Sequence, residues 1–148
     1  MDSSTRIFID NLAEAVIDAY GITIPIDNIE DVVKKIGGEI VEKADLDDLY
    51  DGTIRKVDQS SFSIVISPFQ SEGRKAFTVA HELGHLFLHM GFRINDDKWN
   101  NQMKGFYRNN DAETNYQANE FAKAFLMPEE EYGEILNRYT KGNRVNIK

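Results

Sequence analysis

The sequence predicts an α+β domain, with a small, about three-stranded sheet packed against a central helix, and three features of the 148-residue chain carry that prediction. Apolar residues recur at helical spacing near the amino terminus, three short β-rich runs occupy the middle, and further helical patterns follow. With 41% hydrophobic and 11% aromatic residues, the chain can bury one core but hardly two, so residues 1–148 are expected to form a single domain. Ile9, Leu12, Ala13, Val16, Ile17 and Tyr20 mark a first amphipathic helix that Gly21 stops. Beyond Pro25, Asp27 and Glu30 stand at capping-box spacing ahead of Ile29, Val32, Val33 and Ile36, and Gly37-Gly38 closes a second, shorter helix. EIVEK, GTIRKV and FSIVIS are strand candidates separated by the turns ADLDDLYD and DQSS, the last two forming a hairpin. Ser71 is placed to cap a helix from about Gly73 to Met90. The polar stretch GFRINDDKWNNQMKGFYRNND reads as a loop, in which Trp99 and Phe106 either bind substrate or anchor the chain. QANEFAKAFLM predicts another helix with Phe121, Phe125 and Met127 in the core, and Pro128 suits the first turn of a last helix ending near Tyr139.

Composition narrows the chemistry. There is no cysteine, which excludes disulfides and thiolate metal sites, so any metal must be held by imidazole and by carboxylate or amide oxygen. The start MDSSTRIFIDNLAEAV lacks a basic segment leading into an apolar one, and no apolar run is long enough to cross a bilayer, so a cytoplasmic protein with no membrane partner is expected. A net charge of -8 opposes phosphate binding and favours a basic protein partner over nucleic acid.

All three histidines fall in HELGHLFLH, residues 81–89. On a helix, positions i and i+4 share a face, so His81 and His85 can bind one metal ion, with Glu82 beside them. Zinc lowers the pKa of a water, and a neighbouring carboxylate can take its proton and pass it to a leaving amine. The helix is apolar nearly all round, which places it in the core, where two unpartnered imidazoles would be costly. Gly84 leaves room for close packing or for substrate. His89 continues the i+4 series, but each step rotates the face by about 40°. It therefore suits the helix end or a hydrogen bond better than the metal, with a substrate contact as the other reading.

The runs RKAFTVAHELGHLFLH and QANEFAKAFLMP together resemble the ImmA/IrrE family of bacterial metallo-endopeptidases. That resemblance implies a zincin-like fold, Zn2+ as cofactor with Mn2+ also open, and a helix-turn-helix repressor of a prophage, mobile element or stress response as substrate. It maps His81 and His85 onto ligand histidines and Glu82 onto the general base. The family's second motif resembles E-x-x-A-N-x-F-A, with its Glu on the metal and its Asn one turn later as an outer partner. Here the stretch reads NYQANEFA: Asn119 takes the outer place, and Asn115 stands where the carboxylate is expected.

An amide oxygen is a weaker zinc donor than a carboxylate. Asn115 ranks first as third ligand because it borders the buried stripe of Ala118, Phe121, Ala122 and Phe125. Glu113, expected just before the helix, ranks second, and Glu120, expected to point opposite the stripe, a distant third. His89, Tyr107 and Tyr116 are the candidates for oxyanion or substrate contacts. Family members commonly continue past a stretch like YTKGNRVNIK into further helices, which are expected to be absent here. Three functions follow: an active zinc endopeptidase on a repressor, a weakened zincin that binds and sequesters it, or a regulatory interaction domain with a structural metal.

Overall fold

The computed structural model describes residues 1–45, 52–102, 105–107 and 111–127. Helix α1 (Ser3–Ala19) starts where the Asp2 carboxylate accepts the Thr5 N–H at 2.8 Å, and its apolar series buries Ile9, Ala13, Val16 and Ile17. Helix α2 (Ile29–Ile36) is capped by Asn28, whose side-chain oxygen accepts from Glu30 and Asp31. The cap is thus one residue later than the Asp27 reading, because Asn28 is the residue that turns into extended backbone (φ -136, ψ 101) ahead of the first helical turn. Glu30 and Asp31 in the first turn and Lys34 and Lys35 in the last complement the helix dipole.

Strands β1 (Gly38–Glu42), β2 (Gly52–Asp58) and β3 (Ser61–Ile66) form a mixed sheet in the order β1-β3-β2. The β2–β3 pair is the expected antiparallel hairpin, with an irregularity between Lys56 and Asp58, whereas β1 runs parallel to β3. Phe62 to Ile66 of β3 are all buried, a continuous rather than alternating pattern, because the central strand is covered on both faces.

Helix α3 (Glu72–Leu88), capped by Ser71 as expected, lies over β2 and β3 and packs along α5 (Ala112–Leu126), which in turn packs on α1. It ends two residues short of Met90, with His89 as its C-cap. The α5 helix starts five residues earlier than QANEFAKAFLM suggests, because the Asp111 carboxylate accepts the Glu113 N–H at 3.0 Å and opens the helix there. Glu113 is therefore inside the first turn, not before it. Phe121 and Phe125 are fully buried, each stabilising by roughly 1.5–3 kcal/mol, while Met127 lies past the last turn and is exposed.

The stretch expected to be a loop contains a short helix, α4 (Asp96–Asn100), capped by Asn95. Its Trp99 is an anchor: the ring is buried, its Nε1–H donates to the Gln59 carbonyl at 2.7 Å, and the Lys56 ammonium donates to the Trp99 carbonyl at 2.9 Å. Phe106 is 39% exposed, in a backbone bridge with Arg55. Most of the acidic turn ADLDDLYD and the expected helix from Pro128 lie outside the described residues. No helix among the described residues is long and apolar enough to cross a membrane.

Where α3 crosses α5, a Cβ on Gly84 would sit 3.0 Å from both Cα and the carbonyl oxygen of Ala118 and 3.1 Å from the Phe121 Cβ. The obstacle is mainly backbone, so the helices themselves would have to part. Gly84→Val is expected to lower stability by about 1–3 kcal/mol in urea denaturation; an unchanged midpoint would show that the helices do not meet there.

Candidate metal centre

The Gly84 crossing brings two sets of polar side chains together. From α3 come His81, His85 and the C-cap His89, successive by four residues, and from α5 come Asn115, Gln117 and Asn119. The His81 and His85 Nε2 atoms lie 3.2 Å apart, and the Asn115 Oδ1 lies 3.2 Å from the His85 Nε2. The His81 Nδ1 sits 2.7 Å from the Asn119 Oδ1. His89 has both ring nitrogens engaged, Nδ1 at 2.9 Å from the His85 Nδ1 and Nε2 at 2.9 Å from the Gln117 Oε1. Tyr107, tied to the edge of β2 by a 2.7 Å bond from its N–H to the Ile54 carbonyl, lays its ring parallel to His89 and 5.2 Å from His85.

The remaining candidates are placed differently. The Glu113 carboxylate accepts the Gln117 amide at 3.3 Å and pairs with the Met1 amino group at 3.6 Å. Glu120 is buried, 3.3 Å from the Lys123 ammonium and 3.8 Å from the Arg6 guanidinium. It lies toward α1, away from the stripe, and is nevertheless buried because α5 lies between α3 and α1, so a second face of it is covered. Tyr116 is 59% exposed and, with Phe77, Asn119 and Arg6, lines an open cavity of about 360 Å³. Gln117 escaped the sequence reading because the helix was started at that residue; the i, i+4 step from Glu113 was the available signal.

The donor set fits a divalent metal. Ligands about 2.0–2.1 Å from a tetrahedral zinc stand roughly 3.3 Å from one another, close to the 3.2 Å at which the His81 Nε2 and the Asn115 Oδ1 each stand from the His85 Nε2. Among the described residues no third imidazole, carboxylate or thiolate joins His81 and His85 in such a cluster, and the oxygen beside the His85 Nε2 is that of the Asn115 amide.

Burial pushes all three imidazoles below their ordinary range, His85 to about 3 with the two neighbouring rings contributing, which leaves them neutral at pH 7. Burial also raises the Glu82 carboxyl to about 8. The signs follow from linkage. As pH rises from the ordinary carboxyl value of 4.5 towards 8, the unfolded chain ionises Glu82 first and stability falls. As pH falls from 6.5 towards 3, the unfolded chain protonates His85 first and stability falls again. Chelator-treated protein is expected to be most stable at pH 4.5–6.5, losing a few kcal/mol on either side. Glu82→Gln should flatten the alkaline limb alone, as urea midpoints across the pH range will show.

Residues 40–147, well over half of the chain, match the family model described as the IrrE N-terminal-like domain, peptidase M78. No curated protein matches the chain. The matched span takes in β2, β3 and all but the first two residues of β1, together with α3 and α5, and with them every side chain that meets at the Gly84 crossing. The chain belongs to the IrrE N-terminal-like, M78 family of metallopeptidase domains, a class that suggests a metal cofactor and a protein substrate.

Proposed function

We propose that this chain is a zinc-dependent endopeptidase that cuts a helix-turn-helix transcriptional repressor in the cytoplasm, with manganese as the alternative metal. His81 and His85 are assigned as ligands, Asn115 as third donor, Asn119 as the partner that orients His81, and Glu82 as general base. The observation that carries this reading is that the His81 Nε2 and the Asn115 Oδ1 each lie 3.2 Å from the His85 Nε2.

Bound there, zinc supplies Lewis acidity toward a water and a peptide carbonyl. The chain supplies the rest. Asn119 holds the His81 ring by its Nδ1, so that Nε2 faces the centre. The Glu82 carboxylate, one residue along α3, takes a proton from the attacking water and delivers it to the departing amide nitrogen as the C–N bond breaks. Its buried setting raises its proton affinity, which suits a group that must accept a proton and then release it. The open cavity lined by Phe77 and Tyr116 reaches Asn119, next to the centre, and offers apolar surface to a substrate side chain.

Asn115 motivates a second reading. A neutral amide in place of a carboxylate weakens metal retention, and a protein that binds its repressor without efficient turnover would still inactivate it. The two readings separate in one assay. Glu82→Gln is expected to cut repressor cleavage by about 10²–10⁴-fold while zinc content holds, and cleavage as fast as wild type would remove the peptidase assignment. Asn115→Glu should tighten zinc by an order of magnitude or more in competition with a chelator. Failure of substoichiometric wild-type protein to turn over repressor would favour sequestration.

A further inference from the structure

We propose that His89 and Gln117 are positioning residues: a hydrogen-bond chain from Glu113 through Gln117 and His89 fixes the proton of His85 on Nδ1 and leaves its Nε2 lone pair facing the centre. The inference deepens the metallopeptidase reading above and rests on it for its purpose, though not for its geometry.

The chain can be followed proton by proton. A carboxylate only accepts, so the Gln117 amide nitrogen is the atom that faces Glu113, at 3.3 Å. The reverse orientation would set the amide oxygen against carboxylate oxygen. Gln117 Oε1 is thereby turned to the His89 Nε2 at 2.9 Å, and an oxygen acceptor at that distance requires an N–H. A neutral imidazole has one N–H, so the His89 Nδ1 carries a lone pair. That lone pair lies 2.9 Å from the His85 Nδ1, and two nitrogens this close need one proton between them, which must come from His85.

With its proton on Nδ1, His85 has none on Nε2, the atom 3.2 Å from both the His81 Nε2 and the Asn115 Oδ1. On the far side, the Asn119 Oδ1 accepts from the His81 Nδ1 at 2.7 Å and leaves the His81 Nε2 bare as well. Two imidazole lone pairs and an amide oxygen then converge with no proton among them. Such an arrangement is repulsive until a cation enters, and it has the tautomers a cation needs. Tyr107, stacked parallel on His89 at 6.5 Å and 5.2 Å from His85, restrains both rings. The assignment also accounts for the third histidine of HELGHLFLH, whose two nitrogens are spent on His85 and Gln117.

Long-range ¹⁵N–¹H NMR of metal-free, histidine-labelled protein at pH 7 tests the proposal. In wild type, His85 should show a protonated Nδ1 and a bare Nε2. Gln117→Leu, which removes the acceptor, should move His85 toward the Nε2–H tautomer and weaken cobalt(II) affinity by about 10–100-fold. A wild-type His85 protonated on Nε2 overturns the proposal whether or not the variant folds, and so does a folded Gln117→Leu protein with the wild-type tautomer. An Nδ1–H tautomer in a wild type that binds no cobalt would uphold the chain of hydrogen bonds and remove the metallopeptidase reading instead.

Discussion

The close approach of α3 and α5 at Gly84 is the constraint on which the rest of the structure depends. A helix pair ordinarily stands 8–10 Å apart, filled by side chains; here Gly84 meets the Ala118 backbone directly. Leu83, Leu86 and Phe87 on α3 and Phe121 and Phe125 on α5 then close the apolar side of the crossing. The same approach brings short side chains within reach on the polar side. Asn115 and Asn119 have only one methylene before the amide, and they touch imidazoles across the gap because the two backbones are already close. A bulkier residue at position 84 would separate the two rows, whatever residues they held.

Burial around the crossing explains why its chemistry takes neutral forms in the absence of metal. His85 is 5% and Glu82 7% exposed, and neither has an opposite charge beside it that would repay desolvation. Each therefore shifts toward its uncharged state rather than remaining ionic in the core. Glu120 shows the contrasting solution. It is equally buried at 7%, yet against that burial a hydrogen bond with Asp10 and the Lys123 and Arg6 cations beside it hold its carboxyl below the usual range. One helix thus carries a structural acid that is paired, and its neighbour carries an acid that is not. An unpaired buried carboxyl beside an imidazole pair is costly to stability, and such costs gather where a protein keeps a site for something else.

What was legible in the sequence was what has a period. The first helix, the strand triplet with its hairpin and the Ser71 cap all follow from spacing over several residues, and His81 and His85 share a face for the same reason. The α4 helix was illegible because five residues hold too little periodicity to stand out in a polar stretch, and only tertiary contact shows Trp99 to be an anchor. The start of α5 depended on one capping carboxylate, Asp111, and misplacing it hid Gln117 and put Glu113 in the wrong setting. The burial of Glu120 was illegible because a single apolar stripe in the sequence does not disclose that α1 covers the opposite face.

On the proposed assignment, the amide at position 115 changes more than one donor bond. With a carboxylate there, the set of two imidazoles and one anion would leave a divalent cation with a net charge of about +1; with Asn115 it leaves about +2. On the proposed assignment, that uncompensated charge acts on Glu82, the anion the sequence supplies beside the ligand pair. It favours the ionised form that burial disfavours, so the cation and the general base stabilise each other across one residue of α3. A less neutralised cation also polarises a carbonyl more strongly. Weaker retention and stronger polarisation thus arise from the same substitution. The chain of contacts from Glu113 to His85 bears on the retention side of that balance, since a ligand already in the right tautomer and orientation loses less freedom on binding. On the proposed assignment, the orientation of two neutral imidazoles offsets part of what a neutral third ligand gives up.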